Sequence, residues 1–185
     1  MPNHSSKKML GADRRKQLLE WLETSTRPLT GNSLASKASV SRQVIVQDMS
    51  LLKAQGQPIL ATSQGYIIMK NNEAGQTVRE RIAVSHPSDP DSTLQELYLI
   101  VDHGGKVLDV SVEHPVYGDI TASLMIESRI GADRFIENMR RTNASMLSEL
   151  TAGVHLHTIE ISSHAQFNVL LDALQKHGYL IDEDD

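Results

Sequence analysis

The feature that most constrains the fold is a run of three short helical patterns followed by two strand patterns, all within residues 12–70. Leu18 and Leu22 recur at the spacing of a helix that buries one face. Thr30 and Ser41 are residue types that cap helix N-termini, and each precedes a further helical pattern. The three helices are expected over residues 14–24, 31–37 and 42–55. Helices this short are stable only when they pack on one another, so they should form one small domain.

Two β-type runs follow the third helix, Ile59–Ala61 and Tyr66–Met69, and a polar turn that contains a glycine joins them. Short strands joined in this way predict a β-hairpin. Three helices with a short turn between the second and third, followed by a hairpin, form a winged helix-turn-helix. Its third helix enters the major groove of DNA. We therefore predict a DNA-binding domain over residues 10–70, with double-stranded DNA as its partner.

The start of the third predicted helix carries side chains that suit DNA. They are Ser41, Arg42, Gln43 and Gln47. Arginine can donate two hydrogen bonds to guanine, glutamine can pair with adenine, and serine at a helix N-terminus can hold a phosphate. These four residues are the predicted DNA contacts. The alternative is a winged helix that serves protein contacts.

The charge of the chain is divided unevenly between its two halves. Residues 1–72 hold ten Lys/Arg and four Asp/Glu, a net charge of +6, whereas residues 73–185 hold eight and nineteen, a net charge of −11. A basic half tethered to an acidic half can approach a phosphate backbone by one end. The division therefore favours DNA binding by the first half.

Composition excludes several other classes of protein. The chain has no cysteine, so it has no disulfide framework, thiolate metal site or cysteine nucleophile. No apolar run approaches the ~20 residues that a membrane-spanning helix needs, and residues 1–16 lack the apolar region of a signal peptide. We expect a cytoplasmic protein with no membrane partner.

A second domain is expected over residues 78–185, after a polar linker over 71–77. Strand and helix patterns alternate along it. Strands are predicted over residues 78–85, 107–113, 119–126, 154–161 and 179–181, and helices over 91–102, 132–141 and 163–177. This order predicts a compact α/β domain of the α+β kind, with one layer of helices on a largely antiparallel sheet.

The segment Gly153–Ile161 contains a His-x-His pattern on a predicted strand. Residues two apart on a strand point to the same side, so His155 and His157 should project together. Two adjacent imidazoles are a common beginning of a divalent metal site. A pair that faces solvent would give the same pattern, and spacing alone does not assign the remaining ligands. Five further histidines are candidates: His86, His103, His114, His164 and His177.

Two motifs in the second half carry a resemblance to a known family. The run Glu113–Gly118 and the later run Gly153–Thr158 resemble the signature of the 3H domain, which follows a helix-turn-helix in the niacin-responsive (NiaR) repressors. The resemblance covers residues 10–182. It implies a homodimeric repressor of genes for niacin uptake or NAD synthesis, with nicotinic acid as co-repressor.

The resemblance also implies a metal site. Its ligands would be His86, Glu96, His155 and His157. Because the loop over residues 87–92 is longer than is usual in the family, Asp91 and Asp89 are alternatives to Glu96 as the carboxylate. Three imidazoles and one carboxylate suit a borderline ion such as Zn, Ni or Fe(II).

The effector is expected to bind beside or on this metal ion. His114 and Tyr117 are the predicted effector contacts; the alternative is that Pro115 and Gly118 shape a tight turn and that the aromatic ring covers the core. A metal ion with open positions could instead activate water. The sequence places no acid or base beside the site, since Glu160 alternates to the opposite face from the histidine pair, so we expect no enzyme. A regulator for which the metal itself is the signal remains an alternative.

Overall fold

The computed structural model describes residues 11–69 and 77–181 of the chain. The chain divides into two compact units, Met1–Asn72 and Glu73–Asp185. The linker predicted over residues 71–77 lies outside the described residues except for Thr77.

The first unit contains three helices and one hairpin, in the predicted order. The helices are α1 (Gly11–Thr24), α2 (Gly31–Ala38) and α3 (Arg42–Ala54), and the strands are β1 (Ile59–Thr62) and β2 (Gly65–Ile68). Thr30 caps α2 by accepting a hydrogen bond from the Ser33 amide, and Ser41 caps α3 by accepting one from the Val44 amide. The predicted winged helix-turn-helix is therefore confirmed, although α1 begins three residues earlier than the predicted residue 14.

Apolar residues from every helix of the first unit form one core. They include Leu18, Leu22, Leu34, Ile45, Met49 and Leu52. Asp48 is also buried in this unit, where its carboxylate accepts hydrogen bonds from Arg14 and Arg15 of α1. The loop before α2 adds to the hairpin, because Leu29 and Tyr66 exchange two backbone hydrogen bonds of 2.9 Å. These contacts fix α3 against α1 and fix the hairpin against the turn before α2.

The second unit is a four-stranded antiparallel sheet with three helices. The strands are β3 (Val78–Ser85), β4 (Lys106–His114), β5 (Gly118–Ile126) and β6 (Val154–Ile161), and the helices are α4 (Pro90–Asp102), α5 (Arg129–Thr142) and α6 (His164–Lys176). The strand order is β3-β6-β4-β5, and every neighbouring pair is antiparallel. The expected α+β fold is confirmed.

Two elements of the second unit differ from the prediction. The strand expected over residues 179–181 is only an isolated bridge between Leu180 and Val84, because the chain meets β3 there for a single residue pair. A 3₁₀ helix, Leu147–Thr151, precedes β6 and was not predicted. It is too short to show a periodic apolar pattern.

The helices of the second unit share one core with one face of the sheet. Inward-facing strand residues such as Val84, Val107 and Ile159 pack in one cluster with Leu97 of α4 and Leu170 of α6. On β6 the burial alternates, so that residues 155, 157, 159 and 161 are buried and their neighbours are more exposed. The two histidines of β6 therefore lie on the helix-covered face.

Candidate metal centre

Three elements bring the four candidate ligands together. His86 directly follows β3, Glu96 lies on α4, and His155 and His157 lie on the inward face of β6. All four side chains are buried. The alternative in which the histidine pair of β6 faces solvent is therefore wrong.

The backbone just before β6 comes unusually close to His86 at Gly153. This glycine has φ +102°, and a Cβ atom placed on it would lie 2.2 Å from the carbonyl oxygen of His86. Only a residue without a side chain fits such an approach. Gly153 therefore allows the end of β3 to meet the start of β6, which brings His86 beside His155.

Glu96 lies at the centre of the cluster. The Nε2 atoms of His86 and His155 are 3.0 and 3.4 Å from Glu96 Oε2, and His157 Nε2 is 3.4 Å from Glu96 Oε1. The ligand atoms of His86, Glu96 and His155 all lie within 4.8 Å of one another. His157 contacts this group through the other carboxylate oxygen, Glu96 Oε1. The three rings approach edge to face, with centroids 4.9 Å apart from His86 to His155 and from His155 to His157.

The other nitrogen of each ring is bonded to the backbone. His86 Nδ1 donates to the Pro87 carbonyl at 2.8 Å and His155 Nδ1 to the Gly153 carbonyl at 2.8 Å. His157 Nδ1 donates to the carbonyl of Asp109 at 2.7 Å. Because a carbonyl only accepts, each Nδ1 carries the proton, and in a neutral ring Nε2 then holds a lone pair. Metal-binding histidines are oriented in this way.

A β-bulge places the carbonyl that holds His157. Strand β4 has one extra residue, Leu108, between the residues that pair with Ile159 and Thr158 of β6. After the bulge, the Asp109 carbonyl faces His157, while the Asp109 carboxylate accepts the Thr158 amide at 3.1 Å. Bulges redirect a strand at functional sites, and this one orients an imidazole.

The electrostatics of the cluster demand positive charge. Burial raises the pKa of Glu96, but the charge of His157 and the close contacts with the three histidines outweigh it and leave that pKa well below its usual value. Burial lowers the pKa of His86 and of His157, but contact with Glu96 raises both above the ordinary value. The buried carboxylate is therefore ionised and attracts either protons on the rings or a cation among them.

Two buried atoms of the cluster have no hydrogen bond among the described residues. They are Glu96 Oε1 and His157 Nε2, which face each other at 3.4 Å without hydrogen-bond geometry. Buried polar atoms left in this way are costly unless something else satisfies them. Three nitrogen lone pairs and one carboxylate around such a gap fit a divalent transition metal ion.

The two rival carboxylates lie elsewhere. Asp89 caps α4 by accepting the amides of Asp91 and Ser92, and the hydrogen bonds from Ser92 hold the pKa of Asp89 below its usual value. Asp91 is exposed and pairs with Arg140 of α5. Glu160 pairs with Arg79 on the opposite face of the sheet, as its place in the strand predicts. The structure brings only Glu96 to the three histidines.

An apolar pocket of about 340 Å³, including its open mouth, borders the cluster. Its lining comprises Thr93, Leu97, Val110, Leu124, Phe135, Met146, Leu147, Ser148, His155 and His157. Like small-molecule sites, it combines apolar walls with a few polar groups. Most of these residues gave no signal in the sequence, because five helices and strands and the unpredicted 3₁₀ helix supply them.

Comparison with known proteins agrees with both halves of the structure. Residues 14–67 match a helix-turn-helix (HTH) domain and residues 79–183 match the 3H domain. The chain is 50% identical over 174 residues to the "Transcription repressor NadR" of Bacillus subtilis (strain 168), covering 94% of this chain and 96% of that protein. It is 38% identical over 176 residues to the "Probable transcription repressor NiaR" of Thermotoga maritima (strain ATCC 43589 / DSM 3109 / JCM 10099 / NBRC 100826 / MSB8), covering 95% and 98%.

The chain belongs to the NadR/NiaR family of transcription repressors. Membership makes it a DNA-binding regulator rather than an enzyme, as expected from the sequence. Among the described helices of this NadR/NiaR-family chain, none is long and apolar enough to span a membrane.

The predicted DNA contacts of this NadR/NiaR-family chain are all exposed at the start of α3. Ser41, Arg42, Gln43 and Gln47 lie on the surface. Gly31 of α2 leaves space for Arg42, whose Nε would lie 3.4 Å from a Cβ at that glycine. Ser41 is both the helix cap and exposed. Their contacts with DNA stay a prediction.

The predicted effector contacts lie on the hairpin between β4 and β5. His114 Nδ1 accepts the amides of Val116 and Tyr117, and the ring centroids of His114 and Tyr117 are 4.9 Å apart. Tyr117 is 77% exposed, and neither ring lines the pocket beside the histidine cluster. Within one chain these residues shape a turn, as in the alternative, but the exposed Tyr117 ring does not cover the core. Contact with the effector stays a prediction.

Proposed function

We propose that this chain represses genes of niacin uptake or NAD synthesis, as a homodimer with nicotinic acid as co-repressor. A divalent transition metal ion such as Zn, Ni or Fe(II) would be held by His86, Glu96, His155 and His157. The observation that carries the proposal is the position of this cluster at the wall of an apolar pocket, with His155 and His157 in both.

Each part of the pocket has a role in this proposal. A metal ion in the cluster would supply a Lewis-acidic position for a carboxylate. The backbone carbonyls of Pro87, Gly153 and Asp109 hold the rings with Nε2 toward Glu96, so little reorganisation accompanies binding. Apolar walls such as Leu97 and Phe135 bury the faces of a flat ring and exclude water.

The response to nicotinic acid would act on the dimer. Two recognition helices of a helix-turn-helix dimer contact successive turns of the major groove, about 34–36 Å apart. An effector changes DNA affinity only by binding one arrangement of the dimer more tightly than another. A difference of ~1–3 kcal/mol is enough for regulation.

A second candidate is a regulator that senses the metal ion alone. It is favoured by the completeness of the cluster, since one chain supplies every ligand and all four are buried. In that case a chelator would change DNA affinity with no organic ligand present. In the preferred function the full effect requires nicotinic acid.

The test is fluorescence anisotropy of metal-loaded protein on labelled DNA from upstream of a niacin-transport gene, at fixed salt because phosphate contacts depend on it. We expect nicotinic acid to tighten binding severalfold and nicotinamide to have no effect, because the amide is uncharged. Equal binding with and without nicotinic acid would refute the co-repressor, and a chelator titration would then test the metal-only alternative.

A double variant links the cluster to this response. His155→Ala with His157→Ala should remove metal and the nicotinic acid effect while the helix-turn-helix stays folded by circular dichroism. The matched control is His164→Ala, an exposed histidine of α6 outside the cluster. A nicotinic acid response that persists in the double variant would contradict the metal-coupled mechanism.

A further inference from the structure

We infer that the hydroxyl of Ser148 is the specificity-determining donor of the pocket and that it hydrogen-bonds the ring nitrogen of a pyridine carboxylate. This inference rests on the proposed function, since it concerns the ligand of the same pocket. It starts from the polar side chains that line the pocket. There are four of them: Thr93, Ser148, His155 and His157.

Three of these four side chains already use their donors. The Nδ1 protons of His155 and His157 bond to backbone carbonyls, and their Nε2 atoms face Glu96. The hydroxyl of Thr93 donates to the carbonyl of Asp89, one helical turn earlier, at 2.9 Å. Thr93 can therefore accept another hydrogen bond but has no second proton to donate.

Ser148 is different, because its hydroxyl is unpartnered. The residue is only 5% exposed, and its hydroxyl makes no hydrogen bond with any residue in the described ranges 11–69 and 77–181. Its oxygen is not one of the fully buried unpartnered atoms of the described residues, so the hydroxyl is open to the pocket, where water or a ligand can bond it. Ser148 is thus the pocket side chain that holds a free proton for a ligand.

The backbone holds Ser148 in place. Its carbonyl accepts the Gly153 amide at 2.9 Å and the Thr151 hydroxyl at 3.2 Å. The 3₁₀ helix that carries it begins with a second anchor, the Met146 amide, which donates to the Glu149 carboxylate at 2.9 Å. The hydroxyl is therefore presented from a fixed turn, and a ligand need not pay for ordering it.

The chemistry of the pocket defines a ligand class. A carboxylate would suit a metal ion held by the cluster, a flat ring suits the apolar walls, and a pyridine nitrogen accepts one hydrogen bond and donates none. A ring without that nitrogen would leave the Ser148 hydroxyl buried and unpaired. Sites built around such a donor discriminate strongly against analogues that lack the acceptor.

The experiment compares two acids by calorimetric titration of the full-length, metal-loaded protein. Nicotinic acid has the ring nitrogen, and benzoic acid has the same ring and carboxylate without it. We expect wild type to prefer nicotinic acid by about tenfold, the value of one buried hydrogen bond. Ser148→Ala should bind both acids equally, and Ser148→Thr, which restores a hydroxyl, should recover the preference.

Thr93→Ala is the matched control, because it removes a pocket hydroxyl that is already bonded, and it should keep the preference. A preference that survives in Ser148→Ala would overturn this inference alone. So would an equal loss of affinity for both acids, since Ser148 would then serve the carboxylate. If wild type binds neither acid, the proposed function fails and this inference fails with it.

Discussion

Replacing Gly153 with alanine tests whether the close approach of β3 and β6 builds the histidine cluster. The new Cβ would lie 2.2 Å from the His86 carbonyl oxygen, whereas carbon and oxygen in contact are roughly 3.3 Å apart. The strands must therefore separate by roughly 1 Å. Metal sites tolerate errors of only about 0.2 Å in ligand distance, so His86 would no longer meet Glu96 at 3.0 Å.

The assay is a competition titration of zinc between the protein and a chromophoric chelator. Misplacing one ligand should weaken zinc binding by at least the 10–100-fold typical of damage to supporting residues. Backbone strain at a positive φ adds about 1–3 kcal/mol of destabilisation. Gly118→Ala is the control, because Gly118 has φ +70° and nothing within 4 Å of its Cβ position. If Gly153→Ala bound zinc within twofold of this control, the argument would be refuted.

Three further predictions concern other parts of the chain. Arg42→Ala should weaken specific DNA binding by about 1–3 kcal/mol if the arginine contacts guanine; an equal loss on every sequence in anisotropy titrations would make it a phosphate contact. Asp48→Ala should lower the free energy of unfolding by about 1–3 kcal/mol, because it removes buried hydrogen bonds to charge, and an unchanged urea midpoint would contradict this. The pKa values of His86 and His157 are raised, so protons compete with zinc for these rings near neutral pH. Zinc affinity should therefore fall as the pH is lowered from 8 to 6. A constant affinity in the chelator assay would refute this prediction.

A fifth prediction concerns the cap of α4. The pKa of Asp89 is lowered by its hydrogen bonds from Ser92. A lowered carboxyl pKa stabilises the fold above the ordinary value and loses that effect as pH falls through the folded-state value. Asp89→Ala should cost about 1 kcal/mol at pH 7, and the difference from wild type should shrink in acid. Equal urea midpoints at pH 7 would contradict the prediction.

Local chemistry was enough to predict most helices and the histidine pair. Thr30 and Ser41 predict where α2 and α3 begin, because a side-chain oxygen directly before the first turn caps a helix. His155 and His157 are paired by the two-residue period of a strand, whichever fold the strand joins. The carboxylate that joins the histidines was harder to predict, because the sequence of the loop after β3 does not determine the residue at which α4 begins. Once Asp89 is the cap, Glu96 falls on the inward face.

The pocket could not be predicted from local patterns. Ser148 lies in a single turn without periodicity, and Thr93 precedes it by more than fifty residues along the chain. Only tertiary packing places them together. The His114–Tyr117 run differs, because the resemblance marks it while its described contacts are those of a local turn; contact with the effector stays a prediction.

The carbonyls that hold the three rings have a consequence for how the second unit opens. They lie after β3, before β6 and on β4, while the carboxylate that the rings face belongs to α4. No one of these elements can separate without breaking a contact made by another. They should therefore exchange their amide hydrogens as one cooperative unit, with the slowest and most nearly uniform rates of the domain clustered around the imidazoles.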